Sequence, residues 1–143
     1  MIFSKACTYG LRSLVFIANH SKEGEKVSIK QIAKSTDTPE PYVGKILQLF
    51  VKKNLLSSSK GPKGGFYLTE EQLKIPIFNV VEEIDGGDLM TKCSLGFQTC
   101  SDHRPCPVHT QFKKIRSEIN AMLEGTTIEN MSTSVLEGRA FLY

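Results

Sequence analysis

The sequence predicts a mainly α-helical fold with a small β wing (α+β), and three observations carry this prediction. Apolar residues recur at helical spacing through the first fifty positions. A glycine-rich turn, GPKGG, then joins two short runs typical of strands. After residue 107, apolar residues follow a heptad spacing typical of a long helix. The 143 residues fit one domain, or one domain with an appendage, and 40% hydrophobic content is enough for a core.

The first two helices are predicted from spacing and from a cap. Leu11, Leu14, Val15 and Ala18 recur at i, i+3, i+4 and i+7, which places them on one helical face. The loop HSKEGEK ends this helix. Ser28 and a glutamine three residues later then form a capping-box pattern, which predicts a short second helix.

A third helix is predicted to begin at Pro39 or Pro41, because proline is tolerated in the first turn of a helix. Its inner face is a clean stripe of five apolar residues, Val43, Ile46, Leu47, Phe50 and Val51. The same spacing turns four side chains outward, namely Tyr42, Lys45, Gln48 and Lys52.

A two-stranded hairpin follows the third helix. LLSSSK and FYLT are the predicted strands, and the glycines at 61, 64 and 65 are predicted to supply positive φ angles in the turn between them. Helix, turn, helix and hairpin in this order are typical of a winged helix-turn-helix DNA-binding domain, which we assign to residues 1–75. The alternative is a generic α+β domain whose hairpin is only a lid.

The charge distribution favours a polyanionic partner. Residues 1–63 carry eleven Lys/Arg and four Asp/Glu, whereas residues 64–143 carry seven and eleven. A lysine-rich solvated surface is the alternative explanation. The start of the third helix, the wing tip and two helix starts supply the candidate DNA contacts, which are Ser4, Lys5, Ser28, Pro41, Tyr42, Lys45, Lys60 and Lys63.

Residues 76–143 form the predicted second part of the chain. Ile77, Val80, Val81 and Ile84 mark a helix that ends at two glycines. A long helix starts near Pro107, and its heptad seam consists of Val108, Phe112, Ile115, Ile119 and Met122. The seam is either an internal core stripe or, as we expect, the interface of a homodimer. The apolar residues at 135–136 and 141–143 suggest that the tail docks.

The polar segment CSLGFQTCSDHRPCPVH, residues 93–109, contains three of the four cysteines. Structural zinc sites favour ligand pairs two to four residues apart, and the gaps here are six and five. A disulfide switch would leave an odd thiol, since Cys7 is distant in sequence. An iron–sulfur cluster needs several soft thiolates around a multi-iron core, which wider loop spacing suits, and a helix start beside Cys106 favours thiolates. All three interpretations stay open on spacing alone.

Three stretches together, FSKACTYGLRSLVFIA, SSSKGPKGGFYL and the cysteine segment, resemble the Rrf-two family of bacterial regulators. The resemblance implies a homodimeric winged-helix transcription factor, often a repressor. In its sensor branches, which are IscR-like and NsrR-like, an iron–sulfur cluster near the dimerisation helix alters DNA binding. In its CymR-like branch, the regulator binds a metabolic enzyme and carries no cluster.

The resemblance also implies a ligand set. Cys93, Cys100 and Cys106 match the cluster cysteines, although the first gap is one residue longer than the five common in those branches. His109 stands where the IscR-like pattern places its fourth ligand, and a [2Fe–2S] cluster is favoured over [4Fe–4S].

Two positions depart from the family patterns. The NsrR-like aspartate ligand corresponds to Thr8, so the neighbouring Cys7 is the second choice for a fourth ligand. An acidic residue implicated in the choice of DNA sequence by IscR-like proteins corresponds to Gly44, so the operator sequence stays open.

The remaining expectations concern location and class. The sequence has no run of 18 apolar residues and no signal-peptide cleavage pattern, and four cysteines in such a chain are typical of a reducing cytoplasm. The three histidines form no recognisable catalytic set, although Cys106 and His109 could pair. We therefore expect a cytoplasmic regulator and no enzyme.

Overall fold

The computed structural model describes residues 2–93, 95–97 and 100–142. Within them, helices dominate and the only named strands form one antiparallel pair. In chain order the elements are α1 (Lys5–Ser21), α2 (Ile29–Thr36), α3 (Glu40–Lys52), β1 (Ser57–Ser59), β2 (Gly65–Tyr67), α4 (Glu70–Leu73), α5 (Ile77–Asp85), α6 (Asp88–Thr91), α7 (His109–Gly125) and α8 (Ile128–Leu136). No helix among these residues is long and apolar enough to span a bilayer.

The starts of the first three helices follow their local sequence. The Ser4 hydroxyl accepts a hydrogen bond from the backbone N–H of Cys7 at the start of α1. Ser28 and Gln31 form the predicted capping box of α2, with both reciprocal hydrogen bonds present. Pro39 is the N-cap residue of α3, and a second proline lies in its first turn. The helix-turn-helix order predicted from sequence is confirmed.

The wing is a short antiparallel ladder in which Ser57 pairs with Tyr67 and Ser59 with Gly65. The segment before α2 extends it, because Val27 and Phe66 exchange two backbone hydrogen bonds of 3.0 and 2.8 Å. The wing is therefore tied to the helical core through Val27.

The expectation that three glycines have positive φ is wrong for Gly64. Gly61 and Gly65 have φ of +99° and +144°, and Gly64 is not among the residues with positive φ. A Cβ atom at Gly64 would lie 2.3 Å from the carbonyl oxygen of Ser59. Glycine is needed there for space between two backbone segments, not for its conformational freedom.

The core lies between the helical stripes that the sequence predicts. Leu14 and Ile17 of α1 meet Leu47 and Phe50 of α3, and all four are nearly free of solvent exposure. The second part of the chain contributes to the same cluster through Ile77, Val80, Val81, Leu123 and Ile128. Residues 1–75 and 76–143 thus share one core, and the proposed division between them stays a prediction.

Helix α8 packs along α1, and hydrogen bonds join the two. The Ser132 hydroxyl donates to Asn19 Oδ1 at 2.6 Å, and Lys22 Nζ donates to the Thr133 hydroxyl at 2.8 Å. The side chains of Leu136 and Phe141 remain 55% and 66% exposed. Tyr143, also predicted to dock, lies outside the described residues.

Candidate DNA-binding face and candidate metal centre

Helix α3 presents the predicted outward face. Tyr42, Lys45, Gln48 and Lys52 are all exposed, while the apolar stripe on the opposite side is inside the core. The Tyr42 ring meets the Tyr9 ring edge-on, with centroids 5.8 Å apart. This contact holds an aromatic side chain at the start of α3, where a recognition helix reaches base edges.

The wing tip carries the predicted lysines in exposed positions. Lys60 and Lys63 lie within the turn between β1 and β2. Lys26 lies beside them, with Nζ 3.1 Å from the Ser59 hydroxyl and 5.0 Å from the centre of the Tyr67 ring. These side chains form a basic edge suited to phosphate contact.

The backbone N–H and the hydroxyl of Ser4 already form hydrogen bonds within the chain. Its backbone N–H donates to Asp85 Oδ2 at 2.8 Å, and its hydroxyl donates to the other carboxylate oxygen of Asp85. A phosphate at Ser4 would therefore have to displace Asp85. Lys5 is exposed beside it, and Ser28 is exposed but uses its hydroxyl oxygen in the capping box of α2.

Helix α2 adds two basic side chains that our candidate set does not include. Lys30 and Lys34 are exposed and lie four residues apart, so they share one face of α2. The first helix of a helix-turn-helix crosses the DNA backbone, where such lysines can meet phosphates. The spacing in IKQIAK is a sequence signal for this pair.

The described residues of the cysteine segment and the start of α7 together line one small pocket. All three of its thiols are free and partly buried. The structure brings the predicted ligands together there, since the lining consists of Cys93, Leu95, Cys100, Cys106, Val108, His109 and Phe112. Among the described residues, no group of three or more His, Cys, Asp or Glu is arranged to hold a single metal ion.

The surroundings of Cys93 favour its thiolate. Backbone N–H groups of Leu95 and Phe97 donate to its sulfur, and these hydrogen bonds lower the pKa of the Cys93 thiol. Burial opposes these two hydrogen bonds, and the Cys106 thiol and the Arg116 charge lower the pKa of Cys93 further by smaller effects. A thiolate is the form that binds metals.

His109 lies at the first position of α7 with only 7% of its surface exposed. Its Nδ1 is 3.4 Å from Cys100 Sγ, and its Nε2 is 2.9 Å from Asp102 Oδ1. Lys113 Nζ reaches both oxygens of Asp102 at 2.9 Å. The hydrogen bond from Lys113, followed by that from His109, lowers the pKa of Asp102 to about 2.

Arg116 contacts Cys100 from the other side. One guanidinium nitrogen is 3.1 Å from Cys100 Sγ, and the other donates to the carbonyl oxygens of Lys92 and Met90 at 3.0 and 3.4 Å. Asp102, Lys113 and Arg116 are missing from the set predicted from sequence. The available signal is the spacing of His109, Lys113 and Arg116 at i, i+4 and i+7, which is one helical face.

Cys7 lies in a different environment. It is fully buried in α1 and is not among the residues that line the cysteine pocket. Burial, assisted by the nearby negative charge of Asp85, raises the pKa of the Cys7 thiol to about 12. Within one protomer, the structure therefore places His109 and not Cys7 beside the loop thiols.

The predicted seam of α7 is divided between core and surface. Ile115 and Met122 are 47% and 53% exposed, whereas Val108, Phe112 and Ile119 are partly buried. Ile119 packs against the main core, and Leu123 beside the seam is fully buried. An apolar strip thus remains open on the outer side of α7.

Comparisons with known proteins agree with this architecture. The family model Rrf2, described as an iron-dependent transcriptional regulator, matches residues 3–134. A candidate HTH-type transcriptional regulator of Aquifex aeolicus is 32% identical over 133 residues, which cover 92% of this chain and 91% of that protein. The regulator IscR of Pectobacterium atrosepticum is 24% identical, covering 86% of this chain and 74% of that protein.

Two solved structures share the fold. T. potens IscR has a TM-score of 0.73 at 23% identity, covering 96% of this chain and 90% of that one. CymR of B. subtilis has a TM-score of 0.73 at 22% identity, with coverage of 92% and 95%. The winged-helix fold predicted from sequence is thereby confirmed. With the family model spanning nearly the whole chain, the protein belongs to the Rrf2 family of transcriptional regulators, which bind DNA and are not enzymes.

Proposed function

We propose that this regulator holds an iron–sulfur cluster in the cysteine pocket and that the state of the cluster controls its affinity for operator DNA. One observation carries the proposal: Cys93, Cys100, Cys106 and His109 line a single pocket although up to fifteen residues of chain separate them. Three thiols and an imidazole are a complete four-ligand set of the kind that [2Fe–2S] clusters accept, and [4Fe–4S] is the alternative.

The donor set fits such a group chemically. Thiolates are soft ligands that suit iron–sulfur clusters, and the N–H groups around Cys93 and the guanidinium of Arg116 offset their negative charge. His109 places its Nδ1 beside Cys100 Sγ, at 3.4 Å. When bound, a cluster would supply one-electron chemistry and sensitivity to oxidants, nitric oxide or iron–sulfur status.

The same proposal assigns DNA contact to the basic face of the N-terminal part. The exposed Tyr42 and Lys45 of α3 are the candidates for base contact, and the wing lysines are the candidates for phosphate contact. We assign the open strip of α7 to a homodimer, since dimeric winged-helix proteins read two half-sites. His109 opens the helix that bears this strip, so the pocket and the proposed interface share one rigid element.

Anaerobic purification tests this function directly. The protein should contain iron and acid-labile sulfide in equal amounts and show a visible absorption band. Replacing Cys93, Cys100 or Cys106 by serine should remove the band, and the matched change Cys7→Ser should keep it. The cluster-loaded and cluster-free forms should differ at least several-fold in affinity for an operator fragment.

Other contents would contradict the cluster assignment. Stoichiometric zinc in place of iron would make the loop a structural zinc site. A metal-free protein that still binds operator DNA would favour the alternative in which a metabolic enzyme controls the regulator. Loss of the cluster in Cys7→Ser but not in His109→Ala would move the fourth ligand from His109 to Cys7.

A further inference from the structure

We infer that Asp102 and Arg116 are positioning residues for the proposed centre, and that His109 binds it through Nδ1. This inference rests on the proposed function and deepens it. Neither residue contributes a ligand of its own in this assignment. Asp102 fixes the ring of His109, and Arg116 fixes the sulfur of Cys100.

The first step concerns the orientation of the His109 ring. Asp102 Oδ1 lies 2.9 Å from Nε2, and an ionised carboxylate can only accept a hydrogen bond. Nε2 therefore carries the proton in the neutral ring, and the lone pair is on Nδ1. Nδ1 is the nitrogen that points at Cys100 Sγ, 3.4 Å away, and therefore into the pocket.

The second step concerns what holds Asp102. Lys113 donates to both of its carboxylate oxygens at 2.9 Å from the next turn of α7. Lys113 and His109 thus both form hydrogen bonds with the carboxylate of Asp102 from one face of α7. A carboxylate bound to the remote nitrogen of a ligating histidine is a general means of fixing the ring and its tautomer.

The third step concerns Arg116. Its guanidinium bridges Cys100 Sγ to the carbonyl oxygens of Met90 and Lys92, at the end of α6 just before Cys93. A single side chain of α7 therefore fixes one candidate ligand and the backbone that leads to another. Lysine could preserve the charge but not this three-way bridge, because it lacks the planar fork.

The experiment compares Asp102→Asn and Arg116→Gln with two control variants on α7. Glu124→Gln and Lys114→Gln remove the same charges from exposed positions. All five proteins are loaded anaerobically, and cluster loss to a chelator is followed by absorption. We expect loss about tenfold faster in the two test variants, and within twofold of wild type in the controls. Equal melting temperatures of the cluster-free proteins would show that the effect is not general unfolding.

A spectroscopic readout identifies the ligating nitrogen. Histidine labelled with ¹⁵N at Nδ1 or at Nε2 is incorporated, and the reduced paramagnetic cluster is examined by pulsed electron paramagnetic resonance. We expect the strong coupling of a bound nitrogen from the Nδ1 label and a weak coupling from the Nε2 label. His109→Ala should remove the strong coupling.

Each outcome is decisive. Strong coupling from Nε2, or test variants that keep the cluster as long as their controls, would overturn the inference while leaving the proposed function intact. Wild-type protein without iron would overturn the proposed function and the inference with it. In the cluster-free protein, Arg116→Gln should also speed amide hydrogen exchange at residues 90–93, and unchanged exchange would contradict the bridging role of Arg116.

Discussion

Gly65→Ala should uncouple the wing from the helical core. A Cβ atom at Gly65 would lie 2.7 Å from the carbonyl oxygen of Val27 and 3.1 Å from its carbonyl carbon. Both are backbone atoms, so the neighbour cannot turn away as a flexible side chain would. The Val27 segment would have to leave the strand, which weakens its two hydrogen bonds with Phe66.

The size of the effect follows from four contributions. The positive φ of Gly65 costs about 1–2 kcal/mol in alanine, and lower entropy of the unfolded chain returns about 0.4–1 kcal/mol. Overlap with Val27 costs roughly 1–3 kcal/mol, to which weakened hydrogen bonds add about 1 kcal/mol. We expect a net loss of about 2–6 kcal/mol, or a fall in melting temperature of about 5–20 °C.

Gly61→Ala is the matched control. Gly61 also has positive φ, but nothing lies within 4 Å of the position that its Cβ would take. Its variant should lose no more than about 1.5 kcal/mol, because only the backbone conformation is strained. Denaturant unfolding followed by circular dichroism measures both variants, and operator titration should show weaker binding for Gly65→Ala. Equal stability of the two variants would refute the argument that Val27 limits the space at the wing.

Three further predictions concern the surface and the buried thiol. Lys63→Ala should weaken binding to all DNA sequences and lower the slope of binding affinity against salt concentration by about one. Lys45→Ala should instead change the sequence preference. Affinity that does not depend on salt concentration would contradict both expectations. Ile115→Asp should weaken the dimer at least tenfold in analytical sedimentation, while Ser117→Asp, an exposed change on the same helix, should not. In the folded, cluster-free protein, Cys7 should resist alkylation at pH 8 while the three loop cysteines react, since its raised pKa keeps the thiol neutral. Because the pKa of Cys7 is raised in the folded state, its protonated thiol contributes to stability fully below about pH 9, and this contribution is lost as the pH rises towards 12. Alkaline titration should therefore unfold the region around Cys7 and make the thiol reactive.

Features set by neighbouring residues could be predicted from the sequence. The capping box of Ser28 and the inner stripe of α3 depend on contacts a few residues apart, and both are present. The sequence locates the glycines of the wing correctly, but it does not reveal why position 64 requires glycine. Its requirement comes from the Ser59 carbonyl across the turn, which a local pattern does not reveal.

Features set by distant residues could not be predicted in this way. Ser4 and Asp85 are 81 positions apart, and only the packing of α5 on α1 brings the carboxylate to the start of α1. The contact between the Arg116 guanidinium and Cys100 Sγ likewise depends on tertiary packing, because the two residues are sixteen positions apart. Hydrophobic periodicity identifies which face of a helix is buried, but it does not identify the polar partner that a distant loop supplies.

The arrangement around α7 limits how the proposed centre can influence DNA binding. His109, Lys113 and Arg116 occupy one face of α7, and Ile115 and Met122 lie on the strip assigned to the partner protomer. The helix also packs on α5 and α6, and the end of α5 reaches the start of α1 through Asp85 and Ser4. A change in the pocket can therefore reach the DNA-binding face either by shifting α7 against its partner or through α5 and α1. The route through α7 and its partner requires a dimer, whereas the route through α5 and α1 operates within one protomer. If the monomeric Ile115→Asp protein retains a cluster-dependent difference in affinity for a single half-site, the route through α5 carries the coupling.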